Sequence, residues 1–562
     1  MLKSVFRKKS LAQTLVDVKD GDGHSHSLNK TLSVRDLTAF GIAAIIGAGS
    51  FSSMGQACFS GGPGVIILFI ICGIACGFTA LCYAEFASRV PTAGSAYTYA
   101  YLSFGELFAW IIGWALLMEY SIGNIYVAFS WSGYFTNLLD SISIAGHSLH
   151  LPEWLTTNYR NAHSAFLNNK AGEGLLAWTN APVIGGLHII FDLPAVIINI
   201  IITWLVYVGV SESRNISNLM VFIKLAIILL VIGVGAFYVD IDNWTPFMPN
   251  QFKGVMAGVA AVFFAYIGFD AISTLAEESK NPQRDLPRGM IYSLVICTVA
   301  YILLSLVLTG MVSYKQLGVS DPLAEVFQLK GVKWMLYIVS IAAVVAMTSV
   351  ILVFQMGQPR IWMSMSRDGL LPKRFASIHP KYKTPGFATI VTGLVVGIPL
   401  FFTDENFVLD FTSIGTLFAF VLVCGGVLTL PPKAEEERKG RFNLPYINGK
   451  WIIPGLTLII WFILWQYTPG YFAELFDFSE EALATNFPLL IFYLVWLIIA
   501  ILAILKNFSL IPSLGLLSCC YLLTGMAPSN WLWFSVWLII GLVVYFLYSY
   551  RNSKLNSNSA TQ

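Results

Sequence analysis

The sequence predicts an all-α polytopic membrane protein, and three observations carry that prediction. Of its 562 residues, 56% are hydrophobic and 11% charged, with a mean hydropathy of +0.71, which is far more apolar sequence than a soluble core requires. Apolar runs long enough to cross a bilayer recur at about 37–59, 64–88, 106–137, 193–211, 216–239, 252–278, 290–313, 334–358, 387–403, 407–430, 451–467, 487–505, 508–525 and 531–549, fourteen in all. Two of them, the first and the sixth, are interrupted by glycine partway along, so two discontinuous helices are expected.

In chain order, residues 1–36 form a polar tail with no apolar stretch behind a basic start, so no cleaved signal peptide is expected. His24 and His26 in that tail have no further ligand type nearby and read as solvated rather than metal-binding. The first span holds Gly47, Ala48 and Gly49, which at about 1.5 Å per residue lie roughly 15 Å in, near the midplane. A backbone unwound at that depth needs protein or a polar cavity to supply its hydrogen-bond partners. On one reading, the half-helix starting at Ala48, Gly49 and Ser50 aims free N–H groups at an anion, while the carbonyls of Ala44 and Ile45 face a cation. That geometry suits an amino-acid zwitterion. On the other reading, the small residues simply let two helices approach.

The second span ends in a hairpin, Tyr83 to Tyr97, that carries a Glu85/Arg89 pair one helical turn apart and a Pro/Gly turn. Glu119, deep in the third span, is either a proton relay or a hydrogen-bonded brace. The polar 138–192 connection is either a lid or a tolerated elaboration. Lys224, about eight residues into the fifth span, either snorkels to the interface or sits in a low-dielectric cavity where its amine can lose and regain a proton. In the sixth span, the carbonyls around Phe264, Ala265 and Ile267 are placed to bind an ammonium, with the Phe264 ring closing over it. Asp270, just past this break, is a functional carboxylate or a cap for the second half-helix. Residues 431–450 form a linker with the mixed-charge run Glu435, Glu436, Glu437, Arg438 and Lys439. It separates a ten-span core, 37–430, from four additional spans, 451–549, and a tail, 550–562. Pro512 and the short gap at Lys506 allow two of the last spans to merge or shorten.

Charge sets the orientation. Lys and Arg concentrate in the tails and alternate loops, while the opposite loops carry few, so both termini are expected in the cytoplasm. A net charge of +2 with dispersed basic residues excludes a nucleic-acid partner. The eight cysteines lie in or at the ends of apolar spans, where they act as small hydrophobes, and no zinc spacing or disulfide framework is visible. No nucleophile–base set stands out, so neither an enzyme nor a cofactor or metal is expected.

The Tyr83–Tyr97 hairpin together with the Ile46-Gly47-Ala48-Gly49-Ser50-Phe51 break resembles the amino acid–polyamine–organocation (APC) superfamily. Gly268-Phe269-Asp270-Ala271, the stretch from Ala276 to Pro287, Gly357-Gln358-Pro359-Arg360 and Ser366-Arg367-Asp368-Gly369-Leu370-Leu371-Pro372 narrow the resemblance to the cationic amino acid transporter family and its bacterial amino acid permeases. The resemblance covers about residues 31–430. It implies a LeuT-type fold of five-plus-five inverted repeats with discontinuous helices 1 and 6, in a layout of about fourteen helices. It further implies an amino acid held at the two breaks by Ile45, Gly47, Ala48, Gly49, Phe264, Ala265 and Ile267. A lysine in the fifth span then takes the place of sodium in sodium-coupled relatives, and Lys224 matches it. Ser50 departs from the Ile that relatives commonly carry, and the outer loop is longer than usual. The expected function is secondary active import of amino acids at the plasma membrane, driven by protons, with substrate, protons and membrane lipid as partners. An amino acid or polyamine exchanger and a non-transporting nutrient receptor are the rivals.

Overall fold

The computed structural model describes residues 7–9, 32–47, 49–90, 92, 94–141, 143–144, 147–168, 172–209, 214–319, 321–382, 384–430, 441–467, 470–476 and 479–559. The expectations on His24, His26, Ala48 and the 435–439 run lie outside these residues. Among the described residues, nine helices are long and apolar enough to cross a membrane, and four shorter apolar helices accompany them.

Helix α1 (Val34–Ile45) opens where the Asp36 carboxylate accepts the Ser33 N–H and O–H, and it stops at Ile46. The chain resumes as one π-helical turn, Gly49–Ser53, followed by α2 (Met54–Gly61), so the expected break is present. Helix α3 (Val65–Arg89) closes on the Arg89–Glu85 pair at 2.9 Å, and the short α4 (Ser95–Ser103) leads into the 36-residue α5 (Glu106–Ser141). Because α5 runs to Ser141, the long connection that follows it starts later than the apolar run suggests.

That connection is folded. It contains α6 (Tyr159–Leu167), α7 (Glu173–Asn180) and two small antiparallel hairpins, β1 (Ser143–Ile144) with β2 (His147–Ser148) and β3 (Val183–Ile184) with β4 (Leu187–His188). It buries its own small core of Ala162, Ala177, Ala181 and Ile190 under Trp154 and Trp178. Arg160 ties it to Asp404 at 3.0 Å.

Helices α8 (Leu193–Val208) and α9 (Arg214–Gly235) follow. The sixth run begins as α10 (Gln251–Ala257) and α11 (Val259–Phe264), loosens through residues 265–268, and continues as a 3-10 helix over Phe269–Glu278. Its second half is thus tighter than an α-helix. Then come α12 (Pro282–Met311), α13 (Pro322–Leu329), α14 (Lys333–Arg367), α15 (Gly386–Gly397) and α16 (Glu405–Thr429). The chain ends with α17 (Ile452–Tyr467), α18 (Glu480–Lys506), α19 (Leu510–Leu523) and α20 (Pro528–Val544). Helix α5 packs on α14 and α16, and α12 packs on α1 and α3, which makes these helices the centre of the bundle. By contrast, α17 and α18 turn large apolar side chains such as Leu458, Trp465, Leu494 and Leu505 outward, as lipid-facing helices do.

Residues near the two chain ends meet on one face of the bundle. Buried Glu106, at the start of α5, accepts from Tyr101, Tyr545 and Ser553 and pairs with Arg7 at 3.7 Å. Asp368, just past α14, holds Lys9 at 2.8 Å and accepts the Tyr97 hydroxyl at 2.7 Å.

Glycine brings the two breaks together. A Cβ on Gly49 would stand 2.5 Å from Ala265 Cα, one on Gly47 would overlap the Val350 side chain, and Gly268 takes φ +118° against Ala44. Gly49→Ala therefore has to push two backbones apart and is expected to lose about 1–3 kcal/mol, without rescue by Ala265→Gly. Gly47→Ala meets only a side chain, so Val350→Ala is expected to restore most of its loss. Thermal unfolding in detergent checks both, and a Gly49→Ala protein as stable as the parent would show that the breaks do not press on each other.

Candidate functional site

The site is built from backbone that helix geometry leaves without partners. At Ile46 the first helix ends, and the carbonyls of its last turn need donors inside the membrane core. Lys224 of α9, 1% exposed, supplies them: its ammonium donates to Ala43 O at 2.9 Å and Ile46 O at 2.8 Å. Tyr301 of α12 donates its hydroxyl to Ile45 O at 2.9 Å. The sequence reading offers the carbonyls of Ala44 and Ile45 to the cation of a zwitterion; in the structure the Lys224 ammonium takes Ala43 and Ile46, and the Tyr301 hydroxyl takes Ile45. Lys224 does not snorkel. Its ammonium ends on the break, and no ion pair among the described residues includes it.

On the other side of the break, Gly47 O accepts the N–H groups of Ser50 and Phe51, both at 3.0 Å, and the Ser50 hydroxyl at 3.0 Å. The Ser50 N–H is therefore spent inside the turn rather than offered to an anion, which corrects that part of the expectation. The Ser50 hydroxyl turns the same way, so the departure from Ile adds no polar group to the cavity. Ser53 bridges the two breaks, donating to Gly49 O at 2.9 Å and Ala261 O at 3.1 Å.

Between the breaks lies a small cavity lined by Ala44, Ile45, Gly49, Val127, Phe264, Ile267, Val350 and Phe354. Its volume is about 10 Å³, room for a single water. Ile45, Gly49, Phe264 and Ile267 are thus brought together as the sequence suggested. Ala265 presses on Gly49 from behind, and Gly47 abuts Val350. The Phe264 ring is 5% exposed, meets the Tyr126 ring edge-on at 4.6 Å and lines the cavity. Its own carbonyl accepts the Ile267 N–H at 3.2 Å.

Tyr126, Val127, Val350, Phe354 and Tyr301 escaped sequence reasoning. The apolar members carry no mark that separates a cavity wall from a helix contact. The one usable signal was the pair of tyrosines, since a buried phenol needs a partner.

Glu119 and Asp270 are 2% and 1% exposed and do not line the cavity. They lie within electrostatic reach of each other and of the Tyr83 and Tyr120 hydroxyls. Glu119 Oε2, Asp270 Oδ2 and both phenol oxygens lack a hydrogen-bond partner among the described residues, while Glu119 is joined by a side-chain hydrogen bond to Thr416 of α16. Asp270 sits in the first turn of the 3-10 helix, where a carboxylate faces unpaired N–H groups.

A model of the amino acid permease family matches residues 32–502, and a model of the C-terminus of amino acid permeases matches residues 509–553. The chain is 38% identical over 558 residues to the branched-chain amino acid permease BcaP of Bacillus subtilis (strain 168), covering 99% of this chain and 100% of the relative. It is equally similar, at the same coverage, to the methylthioribose transporter of that organism. It is 31% identical to the vacuolar cationic amino acid transporter 2 of Arabidopsis thaliana, over 99% of this chain and 94% of the relative. A match of that extent, with two broken helices meeting at a closed cavity, places the chain in the amino acid permease family.

Proposed function

We propose that the protein is a secondary active transporter that carries neutral amino acids inward across the plasma membrane together with protons. Both termini face the cytoplasm, and α1 to α16 form a five-plus-five inverted repeat beside four further membrane helices in a fourteen-helix chain. The observation that carries this reading is the Lys224 ammonium on the carbonyls of Ala43 and Ile46. A protonated amine stands there as a bound cation would, holding α9 to the end of α1. Loss of its proton weakens both hydrogen bonds and frees α1 to move relative to α9, so proton release and reorientation of the broken helix are one event.

Substrate class follows from the cavity wall. All eight lining residues are apolar or glycine, and a cationic side chain buried among them would lack a partner, at a cost of several kcal/mol. Asp270 and Glu119 lie elsewhere. An entering amino acid has to displace Phe264, whose ring then closes over it, while backbone groups at the two breaks receive its carboxylate and ammonium.

Lys224→Ala removes both donors, leaves two buried carbonyls unpaired at about 1–3 kcal/mol each, and is expected to abolish gradient-driven accumulation. Lys224→Arg keeps the charge but cannot release its proton, so it too is expected to stall turnover. Uptake into proteoliposomes under imposed pH or sodium gradients checks this; accumulation driven by sodium alone, or by protons in both variants, would overturn it. In the same vesicles alanine or valine is expected to be taken up well above arginine. Arginine uptake exceeding alanine uptake, and lost in Glu119→Gln, would assign the protein a cationic substrate.

A further inference from the structure

A second chain of contacts runs from the outer face to the cavity, and it begins at a carboxylate that the transport reading does not use. Glu405 is the first residue of α16, held by its neighbour Asp404, whose side chain accepts the Phe407 N–H at 3.1 Å and pairs with Arg160 of the outer subdomain. Its Oε1 accepts two hydroxyls from different elements, Ser130 of α5 at 3.0 Å and Ser52 of the π-helical turn at 3.3 Å. Ser52 in turn accepts the Tyr126 hydroxyl at 3.4 Å, and the Tyr126 ring abuts Phe264. Two turns beyond Tyr126 along α5, Tyr134 donates to Phe51 O at 2.5 Å, a parallel tie to the same π-helical turn.

On its other side Glu405 opens onto an outer cavity of about 300 Å³, walled by the end of α5 and by His150, Glu153 and Asn158 of the outer subdomain. Glu405 thus lines the larger cavity and is joined through Ser52 and Tyr126 to the ring that lines the smaller one. Three elements meet on its one oxygen, and two of them, α5 and the turn after the first break, carry the groups that seal the inner cavity.

We propose that Glu405 is the outer latch of the site, a positioning residue that acts through Ser52 and Tyr126 to keep Phe264 shut. With both serines on the carboxylate, the π-helical turn is tied to α5 and α16 and the Tyr126 ring is pressed against Phe264. Parting Ser52 from Glu405 frees the turn to swing from α16, withdraws the hydrogen bond that orients Tyr126, and opens the inner cavity to the outer one. The charge matters because a carboxylate accepts two hydroxyls more strongly than a neutral acceptor does. The latch rests on the transport reading only in taking the cavity under Phe264 as the substrate site.

The test reads accessibility, not uptake. In a Val127→Cys background, the cavity thiol is labelled with a membrane-impermeant methanethiosulfonate in right-side-out vesicles, with the parent's buried cysteines as the background control. Glu405→Ala and Ser52→Ala are each expected to raise the outside labelling rate about tenfold, the effect of losing one charge-assisted hydrogen bond. Glu405→Gln, whose amide oxygen still accepts from both serines, is expected to fall between them and the parent. Labelling from the inner side is expected not to rise, which separates a latch from general loosening. If Glu405→Ala does not fold, Ser52→Ala, which deletes one hydroxyl, decides alone. Parental labelling rates in the folded variants, or equal increases from both sides, would overturn the latch. Unchanged latch labelling in a protein that transports no amino acid would instead count against the transport reading.

Discussion

A helix broken inside a membrane leaves carbonyl and N–H groups with no water to receive them, and much of the core is arranged around supplying substitutes. The cost of an unpaired backbone group in that environment is several kcal/mol, so each substitute is worth more than its counterpart at a soluble protein's surface. Lys224 and Tyr301 reach α1 from two different helices and saturate three consecutive-turn carbonyls, those of Ala43, Ile45 and Ile46. Across the break, Gly47 O gathers Ser50 and Phe51, and the hydroxyl of Ser53 spans to the sixth run at Ala261. Of these donors Lys224 is the one cationic group.

The same economy of space explains the glycines. Gly49 against Ala265 and Gly268 against Ala44 are reciprocal contacts, each glycine lying against an alanine of the other run. Close approach lets Ser53 bond both runs, and it leaves a small cavity walled by α1, the π-helical turn, α5, the sixth run and α14. The lining of that cavity is apolar or glycine throughout.

Around this centre, polar ties hold the periphery at both ends of the bundle. On the face where the chain ends meet, Glu106 and Asp368 gather the N-terminal residues Arg7 and Lys9 and the C-terminal Tyr545 and Ser553 onto the ends of α5 and α14. At the other end of α5, Arg160 and Asp404 fasten the folded α5–α8 connection to α16 beside Glu405. Helix α5 takes part in both, which makes it the member through which events at the two faces can be felt in the cavity.

The amino-acid sequence by itself determined the class of the protein, its apolar runs and the position of the first break. Those properties follow from local composition: twenty apolar residues have one fate in a bilayer, and Gly47 and Gly49 weaken a helix wherever it packs. It also located Lys224, Glu119 and Asp270, since an ionisable residue in an apolar run stands out without any knowledge of its neighbours. Which atoms these groups meet was decided only by the tertiary structure. That Lys224 takes Ala43 and Ile46 while Tyr301 takes Ile45, that Gly49 answers to Ala265 and Gly47 to Val350, and that Glu405 finds Ser52 across hundreds of residues are outcomes of helix packing. Pattern along a chain encodes which face of a helix is apolar, whereas partner identity depends on the rotation and depth at which two helices settle, and those are fixed by all their contacts at once.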